Sequence, residues 1–251
     1  MRTCSLCLKQ LKKLKKEKAV NILADFIEKF QFNFIEGKRY EFIFSGLKTT
    51  LIITAFAVLI GILLGFMIAM IRATHDRTGK MKILNAICKV YLTVIRGTPA
   101  MVQLLIMYYV VFAVHDPGKL ITAIVAFGLN SAAYVAEIVR SGIMSIDQGQ
   151  FEAGRSLGLN YRQTMLLIIL PQALKNVLPA LANEFIVLMK ETSISGYIGL
   201  TDLTRGGDII RSQTYEALLP LLAVAAIYLV LVMFLSYLVG KLERRLRSSE
   251  R

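Results

Sequence analysis

Polar side chains inside long apolar stretches are the residues of this chain best placed to do chemistry. Glu184 stands out, because a charge at the centre of a bilayer costs roughly 2.5–3.5 kcal/mol and is kept only for a reason. Its carboxylate can bind a cationic group of a ligand, or it can form a structural ion pair or interhelical hydrogen bond. The other residues predicted to line a polar path are Asn130, Tyr134, Asn183 and Gln103. The structural alternative applies to them too, and most of all to Gln103, since a lone glutamine commonly joins two apolar helices.

These residues belong to two polar stripes with helical spacing. One stripe comprises Asn130, Tyr134, Glu137 and Ser141, and the other Gln172, Asn176, Asn183 and Lys190, with Glu184 beside it. Residues on one helix face need water or another polar helix opposite them. We therefore expect the two stripes to face each other, and Glu137 to lie near a membrane surface where water solvates it.

A second group of functional candidates lies in the polar, glycine-containing segment from Asp147 to Gln163. Asp147 is a good helix N-cap, and Gln150 has the spacing that closes a capping box. Gly158 suits a left-handed C-terminal cap, and Asn160 with Gln163 repeats the capping pattern at the start of the next helix. A capped helix of roughly ten residues is about 15 Å long, which suits docking rather than crossing a membrane.

The elements that position these groups are predicted to be membrane-spanning helices. The 251-residue chain is 55% hydrophobic with a mean hydropathy of +0.58, which is too apolar for an ordinary soluble domain. Spans are predicted between Lys48 and Arg72, from Gly97 to His115, from Leu120 to Ala136, from Thr164 to Met189, and between Glu216 and Lys241. Gly61 and Gly65 have the small-xxx-small spacing of close helix packing, although chance explains such a pair equally well. The segment Arg96-Gly97-Thr98-Pro99 predicts a break, either a hinge or a loop that joins a short interfacial helix to a span.

Charge predicts the orientation of these spans. Basic residues follow the first span, flank the capped segment and fill the C-terminal tail, so these parts are expected in the cytoplasm. Five spans then place the N-terminus outside. The net charge of +13 is explained by topology and lipid headgroups, without nucleic acid.

The first 48 residues fit this topology poorly, because they carry eleven Lys or Arg. Within them Leu23, Phe26, Ile27 and Phe30 have helical spacing, which predicts an amphipathic helix lying in a membrane interface. Either this basic segment stays cytoplasmic by a re-entrant path, or the true start lies downstream. We divide the chain into an N-terminal segment, residues 1–46, and a membrane domain, residues 47–251.

A resemblance to a known family is specific at the capped segment. Glu152-Ala153-Gly154, Gly158, Ile168, Leu170 and Pro171 match the spacing of the EAA signature of ABC importer permeases. The stretches RGTPAMVQL from Arg96, NSAAYVAEIVRSGI from Asn130 and NEFIVLMKETSI from Asn183 resemble its polar amino-acid branch. The third signature position is Gly154 rather than alanine, which should destabilise the helix by roughly 1 kcal/mol.

The resemblance implies an all-α membrane protein similar to type I ABC importers, with about five transmembrane helices and a short cytoplasmic coupling helix that docks on an ATPase. The residues implied in coupling are Gln150, Phe151, Glu152, Ala153, Gly154, Arg155, Leu157 and Gly158. An exposed Phe151 would be costly without a cover, which favours a partner protein there. The implied partners are a cytoplasmic ATPase that binds ATP and magnesium, a second permease copy or homologue, an extracytoplasmic binding protein and an amino-acid substrate, at a prokaryotic plasma membrane.

The chain itself carries no phosphate-binding loop and no nucleophile–base pair, so we expect a transport subunit without cofactor or metal rather than an enzyme. Cys4 and Cys7 lack the second pair that a zinc site requires, and Cys88 is expected to be buried. The alternative functions are an ion-coupled secondary transporter or channel using Glu184 and Lys190, and a membrane scaffold. The absence of internal symmetry disfavours the first, and the polar stripes disfavour the second.

Overall fold

The computed structural model describes residue 21 and residues 24–248. Cys4, Cys7, Leu23 and the basic run from Lys9 to Lys18 lie outside the described residues.

All regular elements between residues 24 and 248 are helical, which confirms the predicted all-α class. A short N-terminal helix at 24–30 continues into a π-helical turn, Gln31–Ile35, and a 3-10 turn, Glu36–Lys38. There follow α1 Tyr40–Thr78, α2 Lys82–Gly97, α3 Ala100–Ile106 with a π turn Met107–Val111, α4 Lys119–Met144, α5 Gln148–Ser156, α6 Tyr161–Thr164 with a π turn Met165–Ile169, α7 Leu170–Glu191, α8 Leu203–Thr214 and α9 Leu218–Ser248.

Four of the five predicted spans correspond to helices that are long and apolar enough to cross a membrane. Within the described residues, four helical stretches are long and apolar enough to cross a membrane, namely α1, α4, the α6–α7 run and α9. A fifth is formed if α2 and α3 together make one broken span, bent by 109°. The bend lies at Thr98 and Pro99, which have extended backbone between the two helices and confirm the predicted break.

Small residues allow α1 and α4 to approach closely. A Cβ atom added at Gly61 would lie 2.7 Å from the Ser131 hydroxyl, and one at Gly65 would lie 2.7 Å from the Val135 side chain. Apolar side chains gain nothing by leaving lipid for one another, so close backbone approach supplies the packing energy instead. The small-xxx-small interpretation of the two glycines is confirmed.

The bundle has two distinct ends. At the N-terminal end of α1, Gly46 packs against the backbone of Asp202, and Gly206 of α8 packs against the backbone of Phe42. At the C-terminal end, the α1 side chains contact the last turns of α4 and the helix α5. The short helix α5 therefore lies at the end opposite α8 and the start of α9.

Candidate coupling and translocation sites

Helix α5 begins with a side-chain cap. The Asp147 carboxylate accepts a hydrogen bond of 2.6 Å from the Gly149 backbone N–H, as its type and position predict. The predicted capping box with Gln150 is wrong. The side-chain oxygen of Gln150 instead accepts a hydrogen bond of 3.3 Å from the Gln172 amide on α7. The amide that the box would have used thus connects α5 to a spanning helix.

The end of α5 is fixed by a left-handed glycine. Gly158 has φ +80°, its N–H donates to the Arg155 carbonyl at 2.9 Å, and the Leu159 N–H donates to the Gly154 carbonyl at 3.0 Å. This pair of bonds is the Schellman arrangement, in which a side chain at Gly158 would be strained. Asn160 then begins α6 with the full capping box predicted from the sequence.

Phe151 is not the exposed aromatic residue that the sequence predicts. The guanidinium of Arg77, from the end of α1, lies 4.3 Å from the Phe151 ring centroid, and the Tyr161 ring stacks with the Phe151 ring at 6.4 Å between centroids. These side chains leave Phe151 half-buried, so the argument for a partner from that residue is weaker than the sequence suggested. Leu157 is 77% exposed and takes its place as the unprotected apolar group on this helix.

The coupling residues divide between two faces of α5. Gln150, Glu152, Ala153, Arg155, Leu157 and Gly158 are exposed. Gly154 is buried, and a Cβ atom there would lie 2.6 Å from the Thr164 methyl group. The position that departs from the family signature is therefore one where α5 packs tightly on α6. It has no side chain to offer a partner.

Glu184 lies half-buried on α7, and a weak hydrogen bond of 3.4 Å from the Ser131 hydroxyl is its only hydrogen bond among the described residues. No described basic side chain lies within ion-pair distance of its carboxylate. Its neighbour Asn183 is exposed. Ser131 was missed as a site residue because a serine beside small residues carries no signal of its own; its place next to Asn130 is the only hint.

Asn130 and Gln103 form one hydrogen-bonded unit. The Asn130 amide donates to the Gln103 side-chain oxygen at 2.9 Å, and the Gln103 amide donates to the carbonyls of Ile95 and Thr98 at 2.7 and 3.0 Å. These contacts hold α4 against the break between α2 and α3, which favours the interhelical role for Gln103. Tyr134 lies one turn further along α4 and remains 36% exposed.

Glu137 is surrounded by cations. Its carboxylate pairs with Arg72, with Arg96 at 3.8 Å and with Arg140 at 3.4 Å. Arg140 also reaches Asp76 on α1 at 3.2 Å. The sequence did not predict this ion-pair cluster, which joins α1, α2 and α4, while the Glu137 side chain remains 22% exposed.

The two predicted polar stripes meet beside this cluster. A cleft of about 500 Å³ is lined by Arg96, Glu137, Ser141, Ser145 and Asn176, among others. The Asn176 amide donates to the Ser145 hydroxyl at 3.2 Å across it. The described residues contain no group of three or more His, Cys, Asp or Glu side chains able to hold a metal ion.

Residues 57–248 match the family model described as the binding-protein-dependent transport system inner membrane component. The chain belongs to this family. Its members are the permease components of ABC transporters, so the predictions of a transport subunit and of a subunit that is not an enzyme are confirmed.

Two relatives of this permease match it over more than nine-tenths of their own length. An arginine transport system permease protein of Bacillus subtilis is 39% identical over 211 residues, covering 83% of this chain and 94% of the relative. A glutamine transport system permease protein of Escherichia coli K12 is 37% identical over 205 residues, covering 80% and 91%.

Solved structures agree on the fold. A crystal structure of an amino acid ABC transporter with histidines aligns with this permease at a TM-score of 0.76 and 44% identity, covering 84% of this chain and 96% of that one. An inward-facing structure of the MetNI methionine ABC transporter aligns at a TM-score of 0.71 and 22% identity, covering 81% and 95%. The fold predicted from the sequence, that of a type I importer permease, is confirmed.

Proposed function

We propose that this permease carries polar amino acids, and cationic ones in particular, into the cytoplasm of a prokaryote. The observation that carries the proposal is Glu184, a half-buried carboxylate in a spanning helix without a described basic partner. A buried charge is stable only when it is paired or hydrogen-bonded, and an amino acid brings the missing cation as its ammonium or guanidinium group. The names of the relatives, which transport arginine and glutamine, are consistent with such a substrate.

The path we propose runs along Glu184, Asn183 and Tyr134, with Asn130 and Gln103 as the hydrogen-bonded wall behind it. Ser131 belongs to this path because its hydroxyl contacts the Glu184 carboxylate. A zwitterion also needs a donor for its carboxylate, and the exposed Asn183 amide is the donor we assign to it.

The energy source we propose is a separate ATPase that binds ATP and magnesium and docks on the exposed residues of α5 in the cytoplasm. A second permease copy and an external binding protein complete the importer, with the N-terminus of this chain outside and its C-terminus inside. Helix α5 is connected to α7 through Gln150 and to α1 through Phe151, so a displacement of α5 moves two spanning helices together. Such rigid-body motion at an interface is a common way to switch access. Residues 47–251 form the transporting unit in this proposal.

The substrate proposal is tested by uptake into proteoliposomes that contain the assembled importer. Glu184→Gln should lower arginine uptake about tenfold, because a charge-assisted hydrogen bond is worth about 1.5–3 kcal/mol, and should affect glutamine less. Glu41→Gln, the same change at an exposed glutamate in the first turn of α1, is the matched control. Equal losses for both substrates, or none, would contradict a cation site at Glu184. Uptake that follows an ion gradient without ATP would instead support a secondary transporter.

The docking proposal is tested by copurification of the ATPase with the full-length permease. Glu152→Arg reverses an exposed charge on α5 and should abolish copurification, whereas Glu36→Arg makes the same change at the other end of the bundle and should not. Loss of the ATPase in both variants, or in neither, would rule out α5 as the docking surface.

A further inference from the structure

The N-terminal helix, residues 24–30, presents an apolar face about half of which the described chain leaves exposed. Phe26, Ile27 and Phe30 are 50%, 48% and 44% exposed. On a helix these three positions share one side, while Glu28 and Lys29 project from the other. A contiguous exposed apolar patch of this kind marks a surface that meets a protein or a membrane.

This helix is not the first turn of the span that follows it. Gly37 and Lys38 have φ +61° and +53°, and such left-handed residues interrupt a right-handed helix. The chain therefore turns between the N-terminal helix and the start of α1 at Tyr40. A helix that is separated from a span by a sharp turn is free to run along the membrane surface rather than through it.

The turn itself is fixed to the bundle. The buried Asn33 donates hydrogen bonds of 2.8 Å to the Glu216 carboxylate and to the Lys29 carbonyl. Phe34 is 7% exposed and packs in a cluster with Ile43 of α1 and Val224 of α9. These contacts hold the N-terminal helix beside the first turns of α1 and α9, at the end of the bundle opposite α5.

Other aromatic residues at this end are also exposed. Tyr40 and Phe44 on the first turns of α1 are 38% and 66% exposed, and Tyr215, just before α9, is 94% exposed. Aromatic side chains gather at the level of the lipid headgroups, where an apolar ring with a polar edge is favoured. The eleven Lys or Arg among the first 48 residues give this part of the sequence a charge that suits an anionic lipid surface.

We propose that the N-terminal helix is a membrane-surface anchor whose apolar face lies in the lipid–water interface of the leaflet opposite the coupling helix. Phe26, Ile27 and Phe30 enter the boundary between headgroups and acyl chains, and Glu28 faces water. Amphipathic helices of this kind insert their apolar face by about 5–10 Å. Only the naming of that leaflet as the outer one rests on the proposed function.

The chain contains no tryptophan, so a single introduced tryptophan is the only indole emitter in the protein. The full-length Phe26→Trp variant is reconstituted into vesicles of phosphatidylcholine and phosphatidylglycerol, with or without bromine atoms on the acyl chains. Its emission should fall by about half in brominated lipid and resist aqueous iodide, as expected for an inserted apolar face. Glu28→Trp places the indole on the opposite side of the helix and is the matched control. Its emission should be quenched by iodide and not by brominated lipid.

Two results would overturn the proposal. If iodide quenches the Phe26→Trp variant and brominated lipid does not, the apolar face lies in water. If neither quencher acts, the face is covered by protein, such as a second copy of this chain. The measurement requires neither ATPase nor substrate, so its failure leaves the proposed transport function untouched, and a failure of transport leaves the anchor untouched.

Discussion

Two carboxylates inside the spanning helices, Glu137 and Glu184, have opposite surroundings. Glu137 on α4 is held by three guanidinium groups from α1, α2 and α4, whereas Glu184 on α7 has only a weak hydrogen bond from Ser131 among the described residues. Both are partly buried acids in apolar sequence. The comparison separates a charge that is paired within the protein from a charge that, in the proposed function, is available to a ligand.

The two carboxylates differ in whether nearby opposite charges offset the cost of burying them. Burying a charge costs several kcal/mol, and close opposite charges with good geometry offset that cost. At Glu137 the protein supplies the offset, so nothing remains for a ligand to gain. At Glu184 the described residues supply no such offset, which is why we propose that a cationic substrate pairs with it.

The largest expected effect is on thermal stability when the compensated acid is removed. Glu137→Gln leaves Arg72 and Arg96 without a carboxylate partner, while Arg140 keeps Asp76, and breaking a partly buried pair in this way costs about 3 kcal/mol. For a chain of this size that corresponds to a fall in Tm of about 6–12 °C. Size-exclusion chromatography of the detergent-solubilised protein after heating measures it.

Glu184→Gln provides the other half of that comparison and should leave Tm unchanged or slightly higher, because it removes an uncompensated charge. Equal destabilisation by the two substitutions would mean that Glu184 is also a structural residue.

A third buried acid, Asp202, tests whether backbone N–H donors can offset the cost of burying a carboxylate as cations do. Asp202 caps α8, outside the candidate spans, and accepts hydrogen bonds from the N–H groups of Thr204 and Arg205 at 3.2 and 3.1 Å. Burial nevertheless raises the pKa of Asp202 from 3.8 to about 6. The folded state therefore holds the proton more tightly than the unfolded state, and stability falls as pH rises from about 4 to 6, by up to about 3 kcal/mol.

Asp202→Asn keeps a good N-cap and removes the ionisable group. The Tm advantage of this variant over the wild type should grow between pH 4 and pH 6.5 and then level off. A difference in Tm that stays constant across this range would show that the backbone donors compensate the charge fully.

The smallest expected effect concerns a cation compensated by an aromatic ring. Arg77→Leu removes the contact with Phe151 that connects α1 to α5, which is worth about 0.5–1 kcal/mol at a partly exposed site. We expect a small fall in Tm but a larger loss of substrate-stimulated ATPase activity in the assembled importer. Arg77→Lys keeps a cation over the ring and should restore most of the activity, whereas failure of this rescue would argue against the contact.

Much of the architecture follows from local patterns that neighbours do not override. Long, mainly apolar runs determine the spans, because a spanning backbone must satisfy its own hydrogen bonds whatever surrounds it. The caps at Asp147 and Asn160 and the left-handed turn at Gly158 were predictable for the same reason, since each depends on residues within four positions. The signature spacing around Glu152 indicated the family without any structure.

Tertiary structure decided the roles of the individual side chains. Phe151 is covered by Arg77 from a helix more than seventy residues away, Gln150 bonds to α7 instead of closing its own cap, and Gly154 is tight against Thr164. Glu137 and Glu184 are both acids in apolar helices, and helical periodicity cannot tell which one finds three arginines. Such pairings depend on which helix faces pack together, and that is decided by the whole bundle rather than by neighbours in sequence.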